Sequence, residues 1–301
     1  MQQAYRLLLY YSFNAQHMIV IADGGSTKTN WCLINGTGQQ LSFDTEGYNP
    51  YYSDTAYIQQ SLENSLPKDL PKAAITSLHY YGAGCSEPDK TAIVHAAMAA
   101  VFTEARVSVE HDLLAAARAL LADGSGFVAI LGTGCNTCLY DGARVSYNID
   151  SLAYILGDEG SGCYLGKKLL GDYVRGYMPA AVRELFRERY QLTPDEVIQR
   201  IYTQPLPNRF CAGFSRFIHD NDVDVAYSQR LVHHAFTDFF ENIVCHYPDY
   251  RHYSFNCIGS VGYFFKDILE HTALSYGMAI GRILRSPIPD LVQFHQAAHR
   301  L

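Results

Sequence analysis

Residues Met18–Leu33 read MIVIADGGSTKTNWCL, and this stretch decides how the rest of the chain is interpreted. The apolar run Ile19–Ala22 predicts a buried strand, and the DGGST after it predicts a tight turn leading into a second strand, Thr29–Ile34. Such a hairpin directs backbone N–H groups and hydroxyls at one point beside the carboxylate of Asp23. These groups suit a phosphate and a hydrated metal ion. By itself, however, an Asp-Gly turn between strands is most often only a turn.

Two further glycine turns with a hydroxyl residue follow apolar strands. ILGTGCNT supplies Gly132, Thr133 and Gly134, and IGSVG supplies Gly259, Ser260 and Gly262. The first two turns each open one half of the chain in the order strand, turn, strand. This loose internal repeat predicts two related α/β domains facing each other across a cleft. Three turns of one kind suggest a nucleotide there, with its phosphates at the first two and its base near the third.

Composition excludes several classes of function. The chain has 301 residues, of which 48% are hydrophobic and 18% charged, and its formal net charge is −7. That balance argues against a nucleic acid or an anionic membrane as partner. The 8 cysteines show no disulfide-scaffold rhythm, so we expect buried thiols and a cytoplasmic protein. Residues 1–17 lack a cleavage site and are too short to span a bilayer, so we expect a leader outside the core.

Asp112 is the sharpest single candidate for catalysis. It follows the predicted strand Val107–Glu110 and opens the apolar helix Leu113–Ala122. A carboxylate in that place is commonly a helix N-cap. It could equally serve as the base of a phosphoryl transfer, since a loose transition state asks it mainly to orient a hydroxyl and to accept a proton late. The residues alone leave both interpretations open.

The loop GDEGSG places two acids among glycines just before a helix. Asp158 could hold vicinal sugar hydroxyls, although Asp158 or Ser161 could also be a simple helix cap. Asn49 precedes a proline and is either a ligand-binding amide or part of an Asx turn.

Two further patterns carry little functional signal. The pair Cys135 and Cys138 has no partner pair, which argues against zinc or redox use, and its role stays open. His295 and His299 are spaced i, i+4 without a third ligand, so we expect a solvated helix face.

Three blocks in order, ADGGSTKT, ILGTGCNT and ILGDEGSG, with Asp112 before the second, resemble the BadF/BadG-type ATPases and, within them, the N-acetylglucosamine kinases. The similarity runs from Met18 to the end. It implies an α/β fold of duplicated ribonuclease-H-like domains flanking a cleft, as in actin, heat-shock ATPases and sugar kinases. On this basis we expect domains at 18–118 and 119–286, with a closing helix at 287–299 as an element that could pack back on the first.

The resemblance also implies roles for individual residues. Thr27 and Thr133 would contact ATP phosphates, Asp23 would hold hydrated Mg²⁺, and Asp112 would be the base. The other residues of the expected ATP site are Gly24, Gly25, Ser26, Lys28, Gly132, Gly134, Gly259, Ser260 and Gly262. The expected sugar site consists of Asn49, Asp112, Asp158 and, close by, Ser151. The family often has glycines where Ser151–Ala153 stands, so the exact amino sugar is left open.

The leading hypothesis is therefore an ATP-dependent kinase acting on the 6-hydroxyl of N-acetylglucosamine or a close relative. One alternative is an ATPase that activates an iron–sulfur reductase or dehydratase partner, for which Cys85 and Cys163 are conceivable ligands without a clear cluster spacing. The other is a non-catalytic, sugar-responsive regulator, whose relatives usually carry an N-terminal DNA-binding helix pair that the short leader cannot supply. The oligomeric state stays open, with a homodimer among the alternatives.

Overall fold

The computed structural model describes residues 18–299, and these divide into two units. Unit 1 consists of residues 18–115 and 288–299, and unit 2 of residues 116–287. The first boundary lies inside a continuous helix, where the amino-acid composition does not change. The sequence had suggested a division after residue 118.

The inner strands of the sheets in the described chain bury apolar runs, and the edge strands are more exposed. The strands are β1 (Met18–Gly24), β2 (Lys28–Ile34), β3 (Gln40–Glu46), β4 (Ile75–Gly82), β5 (Arg106–His111), β6 (Gly126–Leu131), β7 (Cys135–Tyr140), β8 (Val145–Tyr147), β9 (Ser254–Ile258) and β10 (Ala279–Leu284).

Helices connect these strands and fill most of the span between β8 and β9. They are α1 (Thr55–Ser65), α2 (Pro88–Val101), α3 (Asp112–Leu121), α4 (Ala153–Leu156), α5 (Gly162–Arg175), α6 (Ala180–Tyr190), α7 (Pro194–Thr203), α8 (Pro207–Ala212), α9 (Ser215–Asp220), α10 (Val225–Asn242), α11 (Ser260–Phe264), α12 (Lys266–Ser275) and α13 (Ile288–His299). Short 3₁₀ turns occur at Lys72–Ala74, Val244–His246 and Tyr250–His252. None of the helices within residues 18–299 combines the length and apolar character that a membrane crossing requires.

Each unit contains one five-stranded sheet, and the two sheets share one topology. The order is β3-β2-β1-β4-β5 in unit 1 and, read from the other edge, β8-β7-β6-β9-β10 in unit 2. In both, the first three strands form an antiparallel meander and the last two add in parallel. This repetition confirms the predicted duplication of a ribonuclease-H-like α/β fold.

The topology fixes where a ligand site forms in unit 1. Gly24 at the end of β1 lies opposite Gly82 at the end of β4, and Gly82 lies opposite His111 at the end of β5. Ligands of open α/β sheets bind at the carboxyl ends of such parallel strands. The glycine hairpin after β1 and the helix start at Asp112 therefore share one sheet edge.

Aromatic side chains are among the largest buried residues of both cores. In unit 1, Trp31 stacks on Phe43 at 5.7 Å between ring centroids and donates from Nε1 to Thr45 Oγ1 at 2.9 Å. In unit 2, buried Phe127 meets Tyr247 edge to face at 5.2 Å, and the Tyr247 hydroxyl bonds Thr137 Oγ1 at 2.8 Å. The buried polar groups of these rings are thus paired, as a low-dielectric core requires.

The closing helix α13 packs on unit 1, and its interface corrects one expectation. His295 is 5% exposed rather than solvated. Its Nε2 lies 2.9 Å from the Tyr81 hydroxyl, and its ring stacks on His79 with centroids 4.0 Å apart. The i, i+4 spacing was interpreted wrongly because Leu291 and Val292, also buried, turn this face of the helix toward the sheet.

The cysteines are all free thiols. Seven are buried, and Cys245 alone is half-buried. Cys32 and Cys85 belong to unit 1, whereas the other six belong to unit 2.

Candidate active site

The hairpin Gly24–Lys28 is held tightly in unit 1. The Gly25 N–H donates to the Lys28 carbonyl at 2.9 Å, and the Gly47 N–H donates to the Thr27 carbonyl at 3.1 Å. A Cβ added to Gly24 would lie 2.2 Å from the Tyr80 hydroxyl, and one added to Gly47 would lie 2.2 Å from the Gly25 carbonyl oxygen. Glycine is therefore required at both places by close packing.

The exposed end of this hairpin carries Thr27 and Lys28, two of the residues expected to bind ATP. Lys28 Nζ pairs with Asp44 Oδ1 at 2.9 Å, and both side chains are about half exposed, at 53% and 52%. An ion pair in that environment is weak and salt-sensitive. The ammonium can therefore exchange this partner for a more highly charged anion at small cost.

Asp23 and Asp112 are neighbouring carboxylates at the sheet edge. Burial and then the charge of Asp112 raise the pKa of Asp23 to about 7, against a hydrogen bond from Asn30 that lowers it. Burial also raises the pKa of Asp112 to about 6, against hydrogen bonds from the backbone N–H groups of Leu113 and of Asp112 itself. Near neutral pH, burial and mutual repulsion therefore disfavour the ionisation of both carboxylates together.

Such a pair fits the donor set that Mg²⁺ prefers. This ion is commonly bound through one or two carboxylates, with water and substrate phosphates as its remaining ligands. Within the described part of the chain, no three His, Cys, Asp or Glu side chains gather into a metal site of their own. The residues present therefore suit an ion carried largely by water and phosphate, with Asp23 as its protein contact.

Asn49 lies in the loop after β3, and its side chain forms the Asx turn that was one of its two interpretations. Its Oδ1 accepts the Tyr51 N–H at 3.0 Å, and its carbonyl accepts the N–H of Tyr52 at 2.9 Å. These bonds engage the oxygens and fix the side chain. The amide nitrogen is the group that remains suited to donate to a ligand.

The second hairpin, Gly132–Gly134, rests on the start of α5 in unit 2. The N–H groups of Gly162 and Cys163 donate to the carbonyls of Gly132 and Thr133 at 2.8 and 3.0 Å. Ser161 is the N-cap of α5, and its hydroxyl accepts the Tyr164 N–H at 3.1 Å. The cap interpretation therefore holds for Ser161, which leaves Asp158 for another role.

Asp158 is buried behind this hairpin, in left-handed backbone with φ 61°. Its Oδ1 accepts the Cys135 N–H at 3.0 Å. Burial raises the pKa of Asp158, while hydrogen bonds from the Cys135 N–H and the Ser151 side chain and the charge of Lys167 lower it. A Cβ on Gly134 would stand 3.0 Å from this carboxylate. Because Gly134 has no Cβ, the Asp158 carboxylate can lie directly against the hairpin.

Ser151 and Asp158 close a strained turn. The Asp158 N–H donates to the Ser151 carbonyl at 2.9 Å, and the Lys167 ammonium donates to the Tyr154 carbonyl. Leu152 and Ala153 both have positive φ, at 57° and 53°. Non-glycine residues are held in that region only when surrounding structure enforces it, and such residues concentrate at functional sites.

The third turn, at Gly259–Gly262, lies against the second hairpin. Gly259 has φ 128°, and a Cβ there would lie 2.2 Å from the Leu131 carbonyl oxygen. Beside it is a cavity of about 380 Å³, large enough for a small-molecule ring system. It is lined by Ser260 and by residues that sequence reasoning missed, among them Ser215, His219, Phe264 and Arg285.

The structure therefore assembles the expected residues in two sets. Unit 1 brings together Asp23, the first hairpin, Asn49 and Asp112, and unit 2 brings together the second hairpin, Ser151, Asp158 and the Gly259–Gly262 turn. Gly47 could have been found from the EGYNP turn in which it stands. The cavity residues could not, because they come from separate helices that meet only in the folded unit.

No protein-family model matches the chain. Solved structures and a curated protein, however, are similar to it. A candidate N-acetylglucosamine kinase from Porphyromonas gingivalis is 38% identical, with a TM-score of 0.88 over 93% of this chain and 99% of that one. A candidate N-acetylglucosamine kinase from Chromobacterium violaceum shares the fold, with a TM-score of 0.64 and 15% identity over 93% of this chain and 99% of that one. The N-acetyl-D-glucosamine kinase of Dictyostelium discoideum is 23% identical, and its match spans 60% of this chain but only 63% of that protein.

Proposed function

Since the chain belongs to the N-acetylglucosamine kinase-like family of the actin-like ATPase fold, we propose that it transfers the γ-phosphoryl group of ATP to the 6-hydroxyl of N-acetylglucosamine or a close amino-sugar relative. The observation that carries this proposal is the placement of Asp112 beside Asp23 at the edge where the first glycine hairpin ends. A proton acceptor, a candidate metal contact and a phosphate-binding turn then share one location.

In the proposed reaction Asp112 orients the sugar 6-hydroxyl and accepts its proton. The bond from this oxygen to the γ-phosphorus forms while the bond from that phosphorus to the bridging oxygen of ADP breaks, and ADP leaves. Bound Mg²⁺ would supply positive charge to the phosphate oxygens. A carboxylate with a pKa of about 6 is mostly ionised at pH 7 and can still hold a proton transiently.

The remaining residues are proposed to bind the two substrates. Backbone N–H groups and hydroxyls at Gly24–Thr27 and Gly132–Gly134 suit the phosphates, and Lys28 adds charge. The cavity beside Ser260 suits the adenine and ribose. For the sugar we propose Asn49 in unit 1, whose fixed amide offers a donor, and in unit 2 Ser151 and Asp158, whose buried carboxylate offers acceptors to hydroxyls.

The experiment is to incubate the protein with ATP, Mg²⁺ and a panel of N-acetylglucosamine, glucosamine, N-acetylmannosamine and N-acetylmuramic acid. ADP release is followed continuously, and the product is identified by mass spectrometry and by ³¹P–¹H correlation at carbon 6. We expect one amino sugar to give stoichiometric ADP and a 6-phosphate. ADP release that no sugar stimulates would contradict the proposal, and so would phosphorylation at another carbon.

A further inference from the structure

Tyr51 lies beside the candidate sugar residue Asn49 but was not expected to have a role. Its side chain is 56% exposed. A Cβ added to Gly84, which has φ 80°, would lie 2.7 Å from Asn49 Oδ1 and 3.2 Å from Tyr51 Cδ2. Asn49 and the Tyr51 ring thus flank the same glycine in the loop after β4.

That loop belongs to the edge where Asp112 stands. Gly82, the last residue of β4, is paired with His111, and Asp112 follows directly. The neighbouring Cys85 has its pKa raised first by burial and then by the charge of Asp112, so the two groups lie within electrostatic range of each other. The Tyr51 ring and Asn49 therefore lie against the loop after β4, at the sheet edge where Asp112 also stands and where the proposed function puts the sugar.

The ring is held in place although it is exposed. The Tyr51 N–H donates to the Asn49 side chain at 3.0 Å. The ammonium of Lys90, on α2, lies 4.9 Å from the ring centroid, a cation–π distance. The first contact orders the Tyr51 backbone and the second holds the ring, and a ring ordered before binding costs a ligand less entropy.

We propose that Tyr51 forms the aromatic platform on which the apolar C–H face of the sugar ring stacks, and that Lys90 positions it. Pyranose rings present C–H groups on a face, and a fixed aromatic face matches them in shape and in electrostatics. This inference rests on the proposed function, because it assigns a binding residue to that same sugar site. Asn49 would then supply a polar contact and Tyr51 the apolar one.

The first test is steady-state kinetics with the preferred amino sugar. Tyr51→Ala should raise the KM for the sugar by about 5- to 10-fold, the range expected for one aromatic contact, while kcat and the KM for ATP change less than about 2-fold. Tyr51→Phe keeps the ring and should behave as the unaltered protein. Tyr202→Ala, which removes an 82% exposed tyrosine on α7 in unit 2, is the matched control.

Lys90 is tested through its effect on the ring. Lys90→Ala should raise the sugar KM by about 2- to 3-fold, and Lys90→Arg should restore it because arginine also stacks on aromatic faces. An equal loss in Tyr51→Phe and Tyr51→Ala would overturn the platform, since the hydroxyl would then be the contact. An unchanged sugar KM in Tyr51→Ala would overturn it as well.

A binding readout separates this inference from the kinase proposal. Saturation-transfer NMR with the sugar and no ATP should show strongest saturation at the ring protons of one face, and Tyr51→Ala should abolish that pattern. Binding with this pattern but without phosphoryl transfer would refute the kinase and support the platform. Transfer whose sugar KM is unchanged in Tyr51→Ala would do the reverse, and absence of both binding and transfer would refute both.

Discussion

At Asp112 two local effects act on one carboxylate in opposite directions. Burial raises its pKa, whereas the N–H groups at the helix start stabilise the ionised form. The balance leaves the pKa at about 6, where a base is ionised at neutral pH and retains affinity for a proton. A surface N-cap would show only the second effect.

The Asp112→Asn variant should keep the fold and lose phosphoryl transfer by about 10²- to 10⁴-fold, the range of general base catalysis. Amide and carboxylate have nearly the same shape, and the amide oxygen still accepts the helix N–H groups. ADP release with the preferred amino sugar measures the effect, and circular dichroism checks the fold. Asp69→Asn, at an exposed loop position, is the control. Full turnover in Asp112→Asn would show that Asp112 is only a cap.

The ionised Asp23 carboxylate, proposed to contact Mg²⁺, should lower the free energy of unfolding of the metal-free protein. Its folded pKa of about 7 exceeds its ordinary value of 3.8, so the folded state holds the proton more tightly than the unfolded state. The penalty is therefore absent below about pH 4, grows as pH rises, and is complete above pH 7. Asp23→Asn should raise the free energy of unfolding by about 1–3 kcal/mol at pH 8.

Urea unfolding of Asp23→Asn at pH 8 and pH 4, without metal, tests this sign. The gain should disappear at pH 4, and Asp69→Asn should show none at either pH. A variant less stable than the unaltered protein at pH 8 would mean that the carboxylate has partners that offset its burial. If Asp23→Asn is more stable but has lost Mg²⁺-dependent turnover, the Asp23 carboxylate lowers stability while it serves function.

At the scale of elements, the two glycines of the second hairpin differ in what surrounds them. A Cβ on Gly132 meets no protein atom within 4 Å, whereas one on Gly134 meets the Asp158 carboxylate. Gly132→Ala should therefore leave thermal stability unchanged and raise the KM for ATP, because the added methyl enters the space proposed for phosphate. Gly134→Ala should displace Asp158 and raise the KM for the sugar instead.

Paired kinetics with each substrate varied in turn distinguish these outcomes. Each alanine is the control for the other, since the two residues lie in one turn. If both variants changed the same KM, the hairpin would not contribute separately to the two substrates.

The sequence predicted the elements of the site well but not the contacts between them. Strand, glycine turn and strand are local patterns, and so is the carboxylate at the start of α3, so these were predictable. The contact of Gly134 with Asp158 joins residues separated along the chain by β7, β8 and a strained turn. Leu152 and Ala153, with positive φ, give no compositional signal for that turn. The cavity residues Ser215 and Phe264 likewise lie on helices whose packing no periodicity encodes.

At the scale of the whole molecule, unit 1 is built from two separate segments of the chain. Residues 288–299 return to it after unit 2 is complete. The helix α13 is secured by buried His295, through its contacts with Tyr81 and His79. The sequence predicted only that this helix could pack back on the first domain, because its partner residues lie more than two hundred positions earlier.

His295→Ala should destabilise unit 1 by about 1–3 kcal/mol, because it leaves a cavity and a buried hydroxyl without this partner. Hydrogen exchange should show faster exchange in β1 and β4, with unit 2 unaffected. Gln293→Ala, at an exposed position of the same helix, is the matched control. Equal loss of protection in both units would mean that the two open as one cooperative body.

The distribution of thiols gives the protein a set of intrinsic footprinting probes. A brief pulse of an alkylating reagent on the native, reduced protein should modify Cys245 and spare the seven buried cysteines. Cys32 and Cys85 then become labelled only when unit 1 opens, and Cys257 only when unit 2 does. Peptide mass mapping after such pulses, with and without ATP or sugar, would report which unit opens less often when each substrate is bound. No engineered label is needed.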